Sequence, residues 1–438
     1  MSVAPPRSSL LLLAYLAFVS LGLPDGLLGV GWPSISAEFG VPTGAVGLVL
    51  TAGTVGYLTS SVLAGFTLAR LGVGRLLAGS TLLASLALTG YATAPALTVL
   101  ICCALVLGLG SGAIDSGLNA YAAGAFGPRH MNWMHAFFGL GVAIGPLVMT
   151  AMLSTGAGWR WGYAVTAAAQ LALATAFALT VGAWRDRAGT AARPASAADD
   201  PLPAAGSDPL PAGSESRSER AVPVDAGSVP DRTGASVPTG PAVVRVSETL
   251  RLPAVWFGAL AFAVYVAIEV SAGLYAFLLL TEGRGLPAAV AGVCVSTYWG
   301  SLFVGRVVQG LVAERLGTAR VLRGSLLGMA AGAVLIALPA PGAVTVAGLV
   351  VLGFAAAPVF PLLTLSTAER VGRQHADRVI GVQIGAAGIG AALIPAGLGV
   401  LLGDISVRLL GPALTVLAVA LLVVHAAAAR RTAPSPAA

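Results

Sequence analysis

The sequence contains no lysine, and only 10% of its 438 residues carry a charge of either sign. A soluble domain usually has about a quarter of charged residues, because its surface must be covered. Here 57% of the residues are hydrophobic, 57 are glycine, and the mean hydropathy is +0.88. Glycine is more frequent in membrane helices than in soluble ones. These proportions exclude a soluble globular protein and indicate a polytopic membrane protein.

Cysteine is scarce, and the motifs of several enzyme classes are missing. The three cysteines, Cys102, Cys103 and Cys294, lie inside apolar runs and form no CxxC or Cys–His spacing. That pattern argues against a metal site and against a disulfide framework. The sequence also has no G-x-x-x-x-G-K-[ST] phosphate-binding loop and no H-E-x-x-H motif. We therefore expect neither an enzyme nor an ATP-driven pump, and no cofactor or metal.

Twelve apolar runs are long enough to cross a bilayer, which requires about 20 residues each. We predict an all-α integral membrane protein with twelve transmembrane helices, arranged as two six-helix bundles at residues 1–184 and 251–438. The intervening residues 185–250 are rich in Pro, Ala, Gly and Ser, which favours a disordered linker. The predicted spans are 8–31, 43–69, 74–94, 96–125, 132–154, 158–183, 252–280, 287–312, 319–338, 342–367, 377–401 and 407–428.

Arginine supplies all of the basic charge, and its distribution predicts the orientation. A net charge of +6 could indicate a nucleic-acid partner. The arginines, however, lie in short gaps between apolar runs, so the positive-inside rule explains them better. Twelve arginines fall on one side of the predicted spans and three on the other. This bias predicts that both termini and the linker are cytoplasmic, as in a multi-pass protein of the cell inner (plasma) membrane. The twelve are Arg7, Arg70, Arg75, Arg129, Arg315, Arg320, Arg323, Arg370, Arg373, Arg378, Arg430 and Arg431; the three are Arg160, Arg284 and Arg408.

A short repeat links the two halves. GFTLARLGVGR, at 65–75, follows the second span, and GLVAERLGTAR, at 310–320, follows the eighth. Both loops resemble the signature loop of the major facilitator superfamily, whose acidic position is Glu314 in the second copy and Ala69 in the first. The resemblance implies two pseudo-symmetric six-helix bundles with a solute site between them. It also makes Arg70, Glu314 and Arg315 structural or gating candidates.

Within that superfamily the chain resembles the fucose-permease-like branch of proton-linked sugar transporters. The motifs are GLPDGLLG with Asp25 in the first span, GLGSGAIDSGLNAY with Asp115 and Asn119 in the fourth, and NWMHAFFGLGVAIGPL, at 132–147, in the fifth. The resemblance implies symport of a sugar with protons.

Acidic residues inside the spans are the candidates for the chemistry, because an ionisable group at the bilayer centre costs at least about 2.5–3.5 kcal/mol. Asp115 shares one helix face with Gly108, Gly112 and Asn119, and we expect that face to be concave and to hold a proton or a hydroxyl-rich solute. The alternative is a structural hydrogen bond between helices. Asp25 follows a proline that is expected to kink the helix; alternatively it lies near the outer helix end and faces water. We predict Asp25 and Asp115 as the proton-coupling residues.

Further candidates lie in the second half. Glu269, with Tyr265 one turn before it, could contact the solute or pair with Arg306 of the eighth span. We interpret Arg306 as structural, and add Asn119 and Gln383 to the solute-binding candidates. His135 begins the fifth span and either titrates in the site or lies at the membrane surface.

Together these features predict a transporter that imports a small polar solute, such as a sugar, by proton symport and alternating access. We expect a monomer in the lipid bilayer that uses a proton gradient and binds no nucleic acid. One alternative is a proton-coupled exporter of drugs or metabolites. The fifth span has Gly145–Pro146, but Met149–Thr150 stand where the superfamily's antiporter motif has a Gly-Gly pair, which favours import. A second alternative is a membrane sensor that binds a solute without moving it; the linker composition is instead typical of a flexible tether.

Overall fold

The computed structural model describes residues 8–126, 128–184 and 246–432. Within this part of the chain all regular structure is helical. The predicted linker lies outside the described residues except for its last five, 246–250, which form a short helix.

The first half contains six long helices. They are α1 (Ser8–Phe39), α2 (Val46–Leu71), α3 (Val73–Thr93), α4 (Leu97–Ala125), α5 (Pro128–Ser154) and α6 (Trp159–Leu179). Short 3-10 turns at Thr43–Ala45 and Val181–Trp184 precede α2 and follow α6.

The second half repeats this arrangement after the short helix. Its helices are α7 (Val246–Leu250), α8 (Pro253–Leu278), α9 (Ala288–Leu316), α10 (Thr318–Ala337), α11 (Gly342–Ala356), α12 (Val359–Val371), α13 (Arg373–Asp404) and α14 (Leu410–Thr432). A π-helical turn, Leu279–Gly283, extends α8. A turn at 357–358 divides α11 from α12, and the two together form one span.

Twelve helices in the described ranges are long and apolar enough to cross a membrane, which confirms the predicted fold class. The first span is longer than the predicted 8–31, because α1 continues through Pro24 and Pro33 to Phe39. Neighbouring helices can satisfy the carbonyl groups that a proline frees, so membrane helices tolerate it. Pro358 lies at the break between α11 and α12.

Both copies of the repeated loop end their helix in the same way. Gly72, after α2, has φ of 73°, and Gly317, after α9, has φ of 84°. These are left-handed values that glycine adopts without the steric penalty that other residues incur. The R-L-G sequence shared by the two loops therefore sets equivalent turns between equivalent helices.

Glycine allows helices within each half to approach backbone to backbone. A Cβ atom at Gly26 of α1 would lie 2.8 Å from the ring of Pro146 in α5, and one at Gly145 of α5 would lie 2.6 Å from the backbone oxygen of Leu23. The same occurs in the second half, where a Cβ at Gly348 of α11 would lie 2.8 Å from the oxygen of Gly332 in α10. Small residues at interfaces are how membrane helices gain close packing.

The two halves contact each other at one end of the molecule, among other places. Six consecutive spans return the chain to the face from which it started, so the described chain ends share one face, which we name the terminal face. At the opposite, distal face, a Cβ at Gly29 would lie 2.8 Å from the oxygen of Gly273, and one at Gly44 would lie 2.9 Å from the amide nitrogen of Val400. A cavity of about 420 Å³ remains there, lined by both halves, including Trp32 and Glu282.

Candidate functional site

Asp115 of α4 is the centre of a polar cluster in the first half. The hydroxyl of Tyr57 in α2 donates to its Oδ2 at 2.6 Å, and Nδ2 of Asn119 donates to its Oδ1 at 3.0 Å. Each carboxylate oxygen therefore has one donor and keeps a lone pair for another. Oδ1 of Asn119 is buried and has no partner within the described ranges. The cluster thus presents hydrogen-bond acceptors.

Close packing of α2 on α4 brings Tyr57 to Asp115. A Cβ at Gly108 would lie 2.9 Å from the amide nitrogen of Tyr57, and one at Gly112 would lie 3.0 Å from Oγ of Ser61. This corrects the expected concave surface, because α2 fills the space beside both glycines. The glycines shape the site indirectly, because they let α2, which contains Tyr57, pack closely against α4.

Asp25 lies in the interior of α1, seventeen residues after Ser8 and fourteen before Phe39, so the helix-end alternative does not apply. Its side chain is exposed. It is nevertheless within electrostatic reach of tyrosines on three other helices, Tyr57, Tyr91 and Tyr163. Asp25 is therefore accessible although α2, α3 and α6 lie around it. Asp25 has no hydrogen-bond or ion-pair partner among the residues that the structure describes.

A second polar cluster lies in the second half. The Tyr265 hydroxyl donates to Oε2 of Glu269, and Arg306 NH2 is 3.7 Å from its Oε1. The side chains of Arg306 and Glu269 are 24% and 15% exposed. The acid and the arginine therefore form a half-buried pair, as one interpretation of Glu269 proposed. At 3.7 Å the contact is longer than a hydrogen bond, so the guanidinium keeps donors for other groups.

His135 of α5 lies between the two clusters. Its exposed ring is within electrostatic reach of both Asp115 and Arg306, one from each half. One turn further on, a Cβ at Gly139 would lie 3.5 Å from NH1 of Arg306. Helix α5 of the first half therefore contacts Arg306 of the second half. His135 lines the space between the halves, which favours the site interpretation over the membrane-surface one.

Other predicted residues have different surroundings. Gln383 is 3% exposed, and its Oε1 accepts from the Thr367 hydroxyl at 3.0 Å, so it ties α13 to α12. Tyr265 is buried and holds Glu269. Arg70 and Arg315 are exposed at the terminal-face ends of α2 and α9. The side chain of Glu314 lies outside the described set.

Two arginines at the distal face bind helix ends in equivalent ways. Arg160 donates to the carbonyl of Ala94, after α3, at 2.8 Å and pairs with Glu38 at 2.5 Å. Arg284 donates to the carbonyl of Leu338, after α10, at 2.6 Å. Because α3 and α10 are the third long helices of their halves, the two contacts are pseudo-symmetric. Cations at helix C-termini satisfy carbonyls that have no helical partner.

Sequence reasoning missed Tyr57 and these arginine contacts. The signal for Tyr57 was present, since it follows Gly53 by four residues, about one helical turn, in the apolar second span. Nothing in the sequence indicated that α2 packs on α4. Within the described ranges no group of three or more His, Cys, Asp or Glu side chains could hold a metal ion.

Comparison with solved structures shows the fold. A point variant of the nucleoside transporter NupG superposes with a TM-score of 0.70 at 14% identity, covering 95% of this chain and all of that one. A bacterial homolog of the human lysosomal transporter Spinster, in an inward-facing and unoccupied conformation, gives a TM-score of 0.65 at 14% identity and covers both chains fully. At these identities the similarity concerns the fold alone.

Comparison of sequences shows the family. No curated protein matches the sequence significantly. The family model described as Major Facilitator Superfamily matches residues 14–395 and, a second time, residues 257–437. Since the first match covers most of the chain, the protein belongs to the major facilitator superfamily and is a membrane transporter of small solutes rather than an enzyme.

Proposed function

We propose that the protein imports a small polar solute together with protons by alternating access. The observation that carries this proposal is an accessible acid, Asp25, in the same interior region of the membrane fold as a second acid, Asp115. Acids inside membrane spans are rare and mark ion and proton paths. The contacts between the halves at the distal face, Gly29 with Gly273 and Gly44 with Val400, support a state that is closed on that side. Alternating access requires such a state.

The two clusters differ in hydrogen-bonding character, and this supports a polar solute. Asp115 and Asn119 present acceptors on the side of the first half, whereas Arg306 presents donors on the side of the second. A solute that donates from one end and accepts at the other fits between them. A sugar has such groups, in agreement with the fucose-permease resemblance. So does a nucleoside, the solute class named for the structurally similar NupG.

We further propose that the protein resides in the cell inner membrane with its terminal face toward the cytoplasm. The bundles at 1–184 and 251–438 would then move as two units about the site, joined by residues 185–250 as a cytoplasmic tether. A single chain contains both clusters, so a monomer suffices, and the proton gradient is the energy source.

Transport by the purified protein in liposomes tests the proposal. Tritiated uridine and tritiated galactose serve as probes, and a pH dye reports the lumen. With acid outside, symport predicts that a probe accumulates above its equilibrium level while the lumen acidifies. Collapse of the gradient by an ionophore should abolish accumulation.

Two other results would favour the alternatives. Movement of protons in the direction opposite to that of the probe would identify the proton-coupled exporter. Saturable binding of a probe without movement across the membrane under either gradient direction would identify the sensor.

A further inference from the structure

The distal cavity has an apolar floor and an open mouth. Its volume is about 420 Å³, within the range of about 300–1,000 Å³ that is typical of small-molecule sites. Trp32, Leu278 and Leu402 line it and are buried, which makes its floor apolar. Ala37 and Glu282 line it from opposite halves and are exposed, so its mouth opens on the distal side. A molecule with an apolar body and one polar end fits such a cavity.

Three long helices end at this cavity, and each presents its C-terminal end. Helix α1 ends at Phe39, the π-helical turn that extends α8 ends at Gly283, and α13 ends at Asp404. Residues from the last turn of each helix line the cavity. The C-terminal end of a helix carries a partial negative charge and favours a nearby cation. Three such ends give the cavity a negative potential.

The charged side chains around the cavity keep that potential negative. Glu282 has no ion-pair or hydrogen-bond partner in the part of the chain that the structure describes. Asp404 and Arg408 are each the chain neighbour of a lining residue. Arg284 donates to carbonyls at the end of α10 instead, and Arg160 belongs to an ion pair within the first half. Two acids and one arginine therefore remain near the cavity, and the charged ligand that it favours is a cation.

We propose that the distal cavity binds an organic cation, an amine with an apolar body, and that this ligand holds the distal face closed. Its ammonium group pairs with Glu282, and its apolar body packs on Trp32. Because the lining comes from both halves, the cavity has this form only while the halves are in contact there. A ligand that binds one conformation better shifts the population toward it.

The cavity is distinct from the proposed solute site. None of its lining residues belongs to the clusters of Asp115 and Glu269. The cation therefore acts on transport from the distal side without being transported itself.

Calorimetric titration of the purified protein tests the site with three probes that share an indole ring and differ in charge. At neutral pH tryptamine is a cation, tryptophol is neutral and indole-3-acetate is an anion. We expect saturable binding of tryptamine and much weaker binding of the other two. Glu282→Gln should weaken tryptamine binding by roughly five-fold, because an ion pair near a solvent-exposed mouth is lost. Ala37→Trp should abolish binding, because the exposed alanine leaves room for a side chain that fills the mouth.

Asp404→Asn is the matched control, since this acid lies on the same face but does not line the cavity. It should change the affinity by less than about two-fold, because solvent screens a charge outside the cavity. Gly47→Val, which overpacks the contact of α2 with Ala396 of α13, should weaken binding if the cavity belongs to the closed state.

Equal binding of tryptamine and tryptophol overturns the cation site, as does unchanged binding in Glu282→Gln or in Ala37→Trp. An effect of Asp404→Asn as large as that of Glu282→Gln also overturns it, since the attraction would then belong to the whole face. Unchanged affinity in Gly47→Val overturns the link to the closed state. Thermal melting of each variant identifies misfolding. The titrations use neither solute nor gradient, so their outcome and that of the symport test are independent.

Discussion

Asp25, Asp115 and Glu269 differ in the partners that each one has. Asp115 has two hydrogen-bond donors, Glu269 has a tyrosine and an arginine, and Asp25 has neither among the described residues. An ionised group without partners is costly in a membrane, so Asp25 is the acid most dependent on a proton or water. The sequence predicted which acids matter, but the different roles follow from partners on other helices.

Asp25→Asn should uncouple transport from the proton gradient. The amide keeps nearly the same shape and cannot titrate. We expect accumulation of the probe solute to fall to its equilibrium level, while exchange of labelled for unlabelled solute persists. Alternating access itself needs no net proton flow once the neutral form is mimicked. Gradient-driven uptake and exchange, measured in the same liposomes, check this.

Asp115→Asn should weaken solute binding instead. The variant loses a charged acceptor worth about 1.5–3 kcal/mol, so we expect roughly ten- to hundred-fold weaker binding of the probe. Asp404→Asn, at the exposed distal end of α13, is the matched control and should bind normally. If Asp115→Asn binds normally but no longer concentrates the solute, while Asp25→Asn still does, then the roles are reversed.

At the scale of helices, glycine decides which pairs approach closely. The spacing of Gly108, Gly112, Asp115 and Asn119 correctly placed them on one face of α4. It did not show that α2 covers the glycines, because a stripe of small residues suits both an open groove and a tight helix contact. The partner helix must be known before such a stripe can be interpreted.

Gly47→Val should hinder closure of the distal face. A Cβ atom at Gly47 of α2 would collide with the side chain of Ala396 in α13, across the boundary between the halves. Overpacking such a contact costs about 1–3 kcal/mol, which shifts the equilibrium toward the distal-open state by roughly five-fold to a hundred-fold. We expect slower transport and faster labelling of a distal cysteine, Thr43→Cys, by an impermeant maleimide, with Cys102, Cys103 and Cys294 replaced by serine.

Gly65→Val is the matched control on the same helix. Nothing lies within 4 Å of a Cβ at that position. The control should transport and label as the parent does. Equal labelling of the two variants would show that the Gly47 contact does not hold the distal face closed.

At the scale of the whole molecule, the sequence predicted best those features that the bilayer requires. Spans follow from length and hydropathy, since a chain in lipid must satisfy its backbone hydrogen bonds within helices. The pairing of Asp115 with Tyr57, 58 residues earlier, could not be obtained in this way. The closed distal face could not be predicted from the sequence either, because it depends on how the two halves dock, and each half was predicted separately.

The orientation in the membrane remains a prediction, and the structure shows which arginines bear on it. Two of the three arginines on the distal side, Arg160 and Arg284, bind helix-end carbonyls, so their positions follow from packing as well as from insertion. The excess of arginines on the terminal face is not explained by such packing contacts in general. We therefore expect this excess to set the orientation. A reporter fused after Gly158 should therefore be active outside the cell, and reporters after Gly240 and at Ala438 inside. Replacing Arg160 with Gln should lower thermal stability and leave all three reporters unchanged. A cytoplasmic signal after Gly158 would contradict the proposed orientation, and a reversal on loss of Arg160 would show that the distal arginines take part in setting it.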